Sequence, residues 1–142
     1  MLRKIVDKLR SSRDVEKIML GSILAKSICS NDSQPLSDHE FKVFSQWGED
    51  GIINYLIKNL HIENEVFVEF GVENYKESNT RFLLKNSNWT GLIIDNSKKN
   101  IEEIKRDPIY WQYTLKAVCE FIDRDNINII LENNLSIKKI GL

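Results

Sequence analysis

A chain of 142 residues is one domain of ordinary size, and a hydrophobic content of 42% is enough for a core, which argues against wholesale disorder. The net charge of −1 offers nothing to attract nucleic acid. The charge is unevenly placed, however: residues 1–26 hold seven Lys/Arg against three Asp/Glu, or +4, which leaves −5 for the remainder. Such a basic head reads as a solvated helical face, with contact to an anionic membrane surface or partner as the alternative.

Residues 2–28 have a helical pattern that divides into two stripes, one of Ile5, Val6 and Leu9 and one of Val15, Ile18, Met19 and Ile23. Ser11-x-x-Asp14 is a capping signature for a second piece, and Gly21 weakens that piece. The opening LRKIVDKLR is broken by Asp7, Lys8 and Arg10, so it lacks the apolar centre of a signal peptide, and no apolar run spans a bilayer. Cys29 and Cys119 lie far apart without a C-x-x-C, which suits two reduced thiols in a cytoplasmic setting. Three Asn-x-Ser/Thr sequons, at Asn31, Asn88 and Asn134, are read as chance in an Asn-rich chain. His39 and His61 have no companion ligands at metal spacing, so no metal is expected and both are read as surface or packing residues.

The polar, proline-containing connector from Cys29 to Glu40 marks a boundary between an N-terminal helical segment with its linker (1–40) and the main domain (41–142). Gly48-Glu49-Asp50 then opens a helix carrying Ile52, Ile53, Leu56, Ile57 and Leu60, its carboxylates at the positive end of the helix dipole. Val66, Phe67, Val68 and Phe70 form a strand buried on both faces, ending near Glu69 and Gly71. A helix is expected from about Glu77 to Lys85, and a second strand from Gly91 to Ile94 with Asp95 at its carboxyl end. Ser97 is the N-cap of a helix to about Lys105, stopped by Asp107-Pro108. A third strand centres on Leu115 to Phe121, and Asp123 or Asp125 caps a helix through about Glu132. Another apolar rise begins at Ile137.

The pattern predicts an α/β, Rossmann-like three-layer sandwich reduced to about three parallel strands in the order 3-2-1, preceded by helices. A complete fold of this kind pairs a further strand with the free side of the first. Val66 to Phe70 is therefore expected to be an exposed edge, and the domain to look cut short. A second polypeptide is one way to complete the sheet.

An open α/β sheet binds ligands at the carboxyl ends of its strands. A dinucleotide site there needs G-x-G-x-x-G, so that backbone can approach a pyrophosphate closely. The loop here, Gly71-Val72-Glu73-Asn74-Tyr75-Lys76-Glu77, has one glycine and two carboxylates, which repel a pyrophosphate. S-adenosylmethionine has no phosphate and carries a sulfonium cation, so an acidic loop is compatible with it. Asp95, 24 residues after Gly71, is placed to accept hydrogen bonds from both ribose hydroxyls.

Three blocks in order, Phe44-Ser45-Gln46-Trp47-Gly48-Glu49-Asp50-Gly51, Phe67-Val68-Glu69-Phe70-Gly71-Val72-Glu73 with Glu77-Ser78-Asn79-Thr80-Arg81-Phe82-Leu83, and Gly91-Leu92-Ile93-Ile94-Asp95, resemble the FkbM-type methyltransferases. The likeness runs from about Phe41 to Leu142 and includes Asp125-Asn126-Ile127-Asn128. It implies a class I S-adenosylmethionine-dependent enzyme that O-methylates a sugar, polysaccharide or other small-molecule acceptor. It also implies that Glu69 and Gly71 form the cofactor loop, that Asp95 is the ribose-binding acid, and that Gln46 and Asn79 lie beside that loop. Gln46, Trp47 and Asn79 read equally as a hydrogen-bonded scaffold, and Glu73 as a solvated loop charge. Cys119 falls where family members line the adenine pocket, with plain core as the alternative. Related chains continue into an acidic motif that faces the acceptor; it has no counterpart here, so no catalytic residue is assigned and little turnover is expected of these residues alone. An inactive remnant or binding module working with a partner chain is the first rival reading, and an NAD-dependent oxidoreductase the second.

Overall fold

In a computed structural model of the chain, which describes residues 2–28, 35–136 and 139–142, Val66–Phe70 (β1), Thr90–Asp95 (β2) and Leu115–Cys119 (β3) form one parallel sheet ordered β1-β2-β3. The register sets Phe67 opposite Gly91 and Gly91 opposite Leu115. A Cβ on Gly91 would sit 2.3 Å from the Phe67 ring and 2.9 Å from Leu115, so glycine here is what lets the Phe67 ring lie across the central strand.

Alternation along the strands builds a core on each face. Phe67, Ile93, Leu115 and Ala117 face the helices Arg81–Ser87 (α3), Lys98–Arg106 (α4) and Ile109–Gln112 (α5), together with Trp89 and Tyr75. Leu92 and Ile94 face the other way, onto Ile130 and the half-buried Leu131 of Ile127–Asn134 (α6). The α4 N-terminus is capped as its sequence indicates, Ser97 Oγ accepting from Asn100 N at 3.3 Å.

Several boundaries differ from expectation for identifiable reasons. The helix after β1 starts at Arg81, not Glu77, because the amides of Asn79 and Thr80 are already bound by the Glu69 carboxylate. The third strand spans Leu115–Cys119, shorter than expected, and Glu120 N supplies the last bond of its ladder with β2, donating to Asp95 O. Asp123 caps a turn rather than α6 itself, accepting from Asp125 N and Asn126 N at 2.9 Å each. Residues 36–39 form a short 3-10 turn that places His39 in the interior, its ring stacked on Tyr55 at 3.7 Å, whereas His61 is exposed.

The outer edge of β1 is not bare. Gly141 N and Leu142 N donate to Val66 O at 2.8 and 3.3 Å, and Val68 N donates to Leu142 O at 2.9 Å. That alternation is a parallel ladder with Leu142 opposite Phe67, so the expected open edge is partly covered, while Phe70 stays exposed. Residues 137 and 138, where the last apolar rise begins, lie outside the described residues, as does the first half of the connector, 29–34.

Residues Leu2–Ile28 (α1) form a single helix rather than two pieces. Its inner face packs on α3, on the 41–44 segment and on the helix Glu49–Asn59 (α2). Gly21 is the contact point: a Cβ there would meet Val43 at 2.5 Å and Phe82 at 2.8 Å. The buried Arg81 guanidinium and the Lys85 ammonium both reach Asp14 at 3.1 Å, and Lys58 Nζ caps the Ala25 carbonyl at 2.7 Å. Burial pushes the Asp14 carboxyl up, but Lys85 and then Arg81 outweigh it and hold it below the ordinary 3.8. A depressed carboxyl stabilises the fold above its ordinary range and loses that contribution as the pH falls through it. Asp14→Asn is therefore expected to cost about 1–2 kcal/mol at neutral pH, leaving Arg81 short of a partner. Its stability should also fall less steeply than that of the native chain between about pH 5 and pH 3. Urea midpoints measured across that range decide it; parallel profiles would mean that the Asp14 contact contributes nothing.

Candidate functional site

The loop that leaves β1 lies at the carboxyl ends of the strands. Gly71 N still donates to Ile94 O at 2.9 Å, and from there the chain passes three times through the left-handed region, at Gly71 (φ 72°), Glu73 (φ 49°) and Tyr75 (φ 61°). An L-residue in that region costs about 1–2 kcal/mol, so a glycine at the first of these positions relieves the turn. A Cβ built on Gly71 would meet no atom within 4 Å. The glycine is thus demanded by backbone conformation and not by packing, and the space in front of it is open.

Asp95 stands across from this loop at the end of β2, almost fully buried. Its Oδ1 accepts from Ser97 N at 2.8 Å and from Asn100 Nδ2 at 3.1 Å, and its Oδ2 accepts from Glu73 N at 2.9 Å. A carboxylate has about four acceptor positions, so one remains, on Oδ2. In this arrangement Asp95 can take one ribose-type hydroxyl, where the sequence suggested two.

Glu69, expected in the cofactor loop, holds the chain in place. Its Oε1 accepts from Asn79 N at 3.0 Å and its Oε2 from Thr80 N at 3.1 Å and from the Thr80 hydroxyl. Thr80 Oγ1 is in turn 3.0 Å from the Tyr75 hydroxyl. Burial, together with the nearby Glu69 charge, pushes that phenol far above its ordinary range, and the side chain is fully buried, out of reach of a bound molecule. Asn79 is joined to the site through its backbone; its exposed side chain borders a crevice between α2 and α3, beside Asp50 and Asn54, that has no room for a water molecule.

The block from Phe41 to Gly51 is a compact knot. Asp50 Oδ2 accepts from the amides of Val43, Phe44 and Ser45 at 2.7, 2.7 and 2.8 Å, and from Ser45 Oγ at 2.9 Å. Glu49 Oε2 takes the amides of Trp47 and Gly48 at 2.9 Å each; slight burial raises its carboxyl, but these amides and its own outweigh that and hold it below the ordinary carboxylate range. Gly51 has no room for a side chain, since a Cβ would lie 2.0 Å from the His39 carbonyl. The knot is fastened to the site by Ser78 N, which donates to Phe44 O at 3.2 Å. Gln46 itself is exposed, and what it contributes is its main-chain carbonyl, which accepts from Lys42 Nζ at 2.6 Å; Trp47 is also exposed.

Glu69, Gly71, Asp95 and the Asn79 backbone thus come together, and Gln46 stands in the supporting knot. Cys119 pairs in register with Asp95 and is exposed at the same end of the sheet, so it is not core. Arg81 is the residue that sequence reasoning missed. It donates to Tyr75 O at 2.8 Å, reaches Asp14, and lies over the rings of Phe44 and Tyr75 at 5.1 and 5.9 Å, tying loop, knot and α1 together. The only signal in the sequence was a pair of cations, Arg81 and Lys85, bracketing the apolar run Phe82-Leu83-Leu84.

Among the described residues no three His, Cys, Asp or Glu are grouped so as to hold a metal ion, and no helix is long and apolar enough to cross a membrane. No family model, curated protein or solved structure matches the chain.

Asp50→Ala should strip four hydrogen bonds at once and leave three amides buried without an acceptor, a loss of about 3 kcal/mol or more. Chemical denaturation measures it, and a change below about 1 kcal/mol would show that the knot is held by packing instead.

Proposed function

We propose that the carboxyl ends of β1 and β2 bind S-adenosylmethionine, and that the chain is the cofactor-binding part of an FkbM-type methyltransferase acting on a hydroxyl of a saccharide or other small molecule. The observation that carries this reading is Gly71: a left-handed glycine at the end of β1, open in front, with the buried Asp95 across from it holding one acceptor position in reserve. The charge of the site agrees. Glu69, Glu73 and Asp95 suit a cationic sulfonium and oppose the pyrophosphate of a dinucleotide, and no second or third glycine prepares the loop for one.

When bound, S-adenosylmethionine supplies an electrophilic methyl group. The part played by this chain is binding and orientation. Gly71 lets the backbone come close, Asp95 accepts from a ribose hydroxyl, and Glu69 fixes the start of α3 so that the loop keeps its shape. Holding the methyl donor in line with an acceptor oxygen is the main source of acceleration in such a displacement. Tyr75 and Asp50 are both buried, which makes them unsuited to be the base, since that group must reach the acceptor hydroxyl.

Isothermal titration of the chain with S-adenosylhomocysteine and, separately, with NADH tests the reading. Saturable binding of S-adenosylhomocysteine is expected. Gly71→Val should weaken it by about tenfold or more, because a β-branched residue resists φ 72°. Circular dichroism of the variant establishes that it is folded. Binding of NADH with no response to S-adenosylhomocysteine would replace this proposal with a nicotinamide oxidoreductase.

A further inference from the structure

The inner face of α1 is occupied by Asp14, Ile18, Gly21, Ser22 and Ala25, each against α3, the 41–44 segment or α2. Its outer face is different. Val15, Met19, Leu20, Ile23 and Leu24 recur at one-turn spacing and are 54, 62, 64, 63 and 41% exposed, an aliphatic face pointing away from the protein and interrupted by one exposed carboxylate, Glu16. Scattered exposed Leu or Ile need no explanation, but a row of this kind on one helix does. At 100° per residue, Arg13 lies between Leu20 and Leu24 and Lys26 between Val15 and Met19, near the two margins of this face, with Lys17 just beyond Leu24; all three are exposed.

We infer that the outward face of α1 docks on an anionic lipid surface. Charge selects this occupant. Residues 1–26 carry seven Lys/Arg against three Asp/Glu, and Asp14, one of those three, is already neutralised by Arg81 and Lys85. Two copies joined through this face would bring two positive helices together. A protein partner is disfavoured by composition, because residues 12–27 contain no Phe, Tyr or Trp, the side chains that enrich protein interfaces. A helix of 27 residues, about 40 Å long, with aliphatic residues outward and cations near both margins of that face has the form that lies in the plane of a membrane interface. The stripe enters the acyl boundary and the Lys and Arg stems reach back to the headgroups. This inference is independent of the cofactor proposal.

Co-sedimentation of the intact chain with phosphatidylcholine vesicles, with and without phosphatidylserine, tests it. Binding is expected only when phosphatidylserine is present and should collapse at high salt, where the screening length falls to about 3 Å. Leu20→Ser with Ile23→Ser should weaken it by about tenfold or more, and Arg13→Gln with Lys26→Gln by about fivefold for each cation removed. All four side chains are exposed, so both double variants should keep the native circular dichroism. Equal binding to neutral vesicles, or none to anionic ones, would overturn the inference. So would a dimer in sedimentation equilibrium that Leu20→Ser with Ile23→Ser dissolves, since the occupant would then be a second copy.

Discussion

Main-chain amides that belong to neither helix nor strand must still find acceptors, and in this protein carboxylates supply them wherever the chain is irregular and important. Asp50 gathers the amides of residues 43–45, Glu69 those of residues 79 and 80, and Asp95 those of residues 73 and 97. Each bond joins an ionisable acceptor to a fixed dipole in a partly dry setting, where such bonds are short and strong. Together they hold the loops at the carboxyl end of the sheet with few side-chain contacts between those loops. The rest of the site follows from this: the positive φ values at Gly71, Glu73 and Tyr75 persist because their neighbours on either side are tied down.

This economy also explains what could be read from the sequence and what could not. The strands were legible because Val66 to Phe70 and Gly91 to Ile94 are short apolar runs between turn residues, and Ser97 announced its own cap. Local chemistry sufficed there. The delayed start of α3 was hidden, since Glu69 had to be known as an acceptor ten residues away in sequence before Glu77 to Thr80 could be excluded from the helix. The Asp14–Arg81 contact spans 67 residues and has no local trace. Gly21 looked like a helix breaker and is instead a point of close approach, a distinction that depends on Val43 and Phe82 lying opposite. At the candidate site, Gly71 and Asp95 were singled out because they sit at strand ends, where topology gives them meaning. Gln46 was singled out for a block whose order comes from Asp50, its neighbour four positions on.

Arg81 gives the molecule its mechanical unity. It is the first residue of α3, it binds the carbonyl of Tyr75 in the loop, and it reaches Asp14 on α1. Movement of α1 relative to the body is therefore felt at the loop through one side chain. A helix with one face locked in this way and the other face aliphatic would fix the orientation of the strand ends relative to whatever α1 rests on.

The three tryptophans occupy contrasting surroundings, and this makes the protein its own optical probe. Trp47 and Trp111 are 76 and 74% exposed, whereas Trp89 is 4% exposed and packs where a side chain on Gly141 would come within 3.0 Å of its ring. Blue-shifted emission from Trp89 reports whether the 141–142 segment is seated along β1. Quenchers in solution reach Trp47 and Trp111 first, so the two populations separate without any label. Trp47, at the mouth of the Asp50 knot, is the native fluorophore closest in sequence to that support of the site.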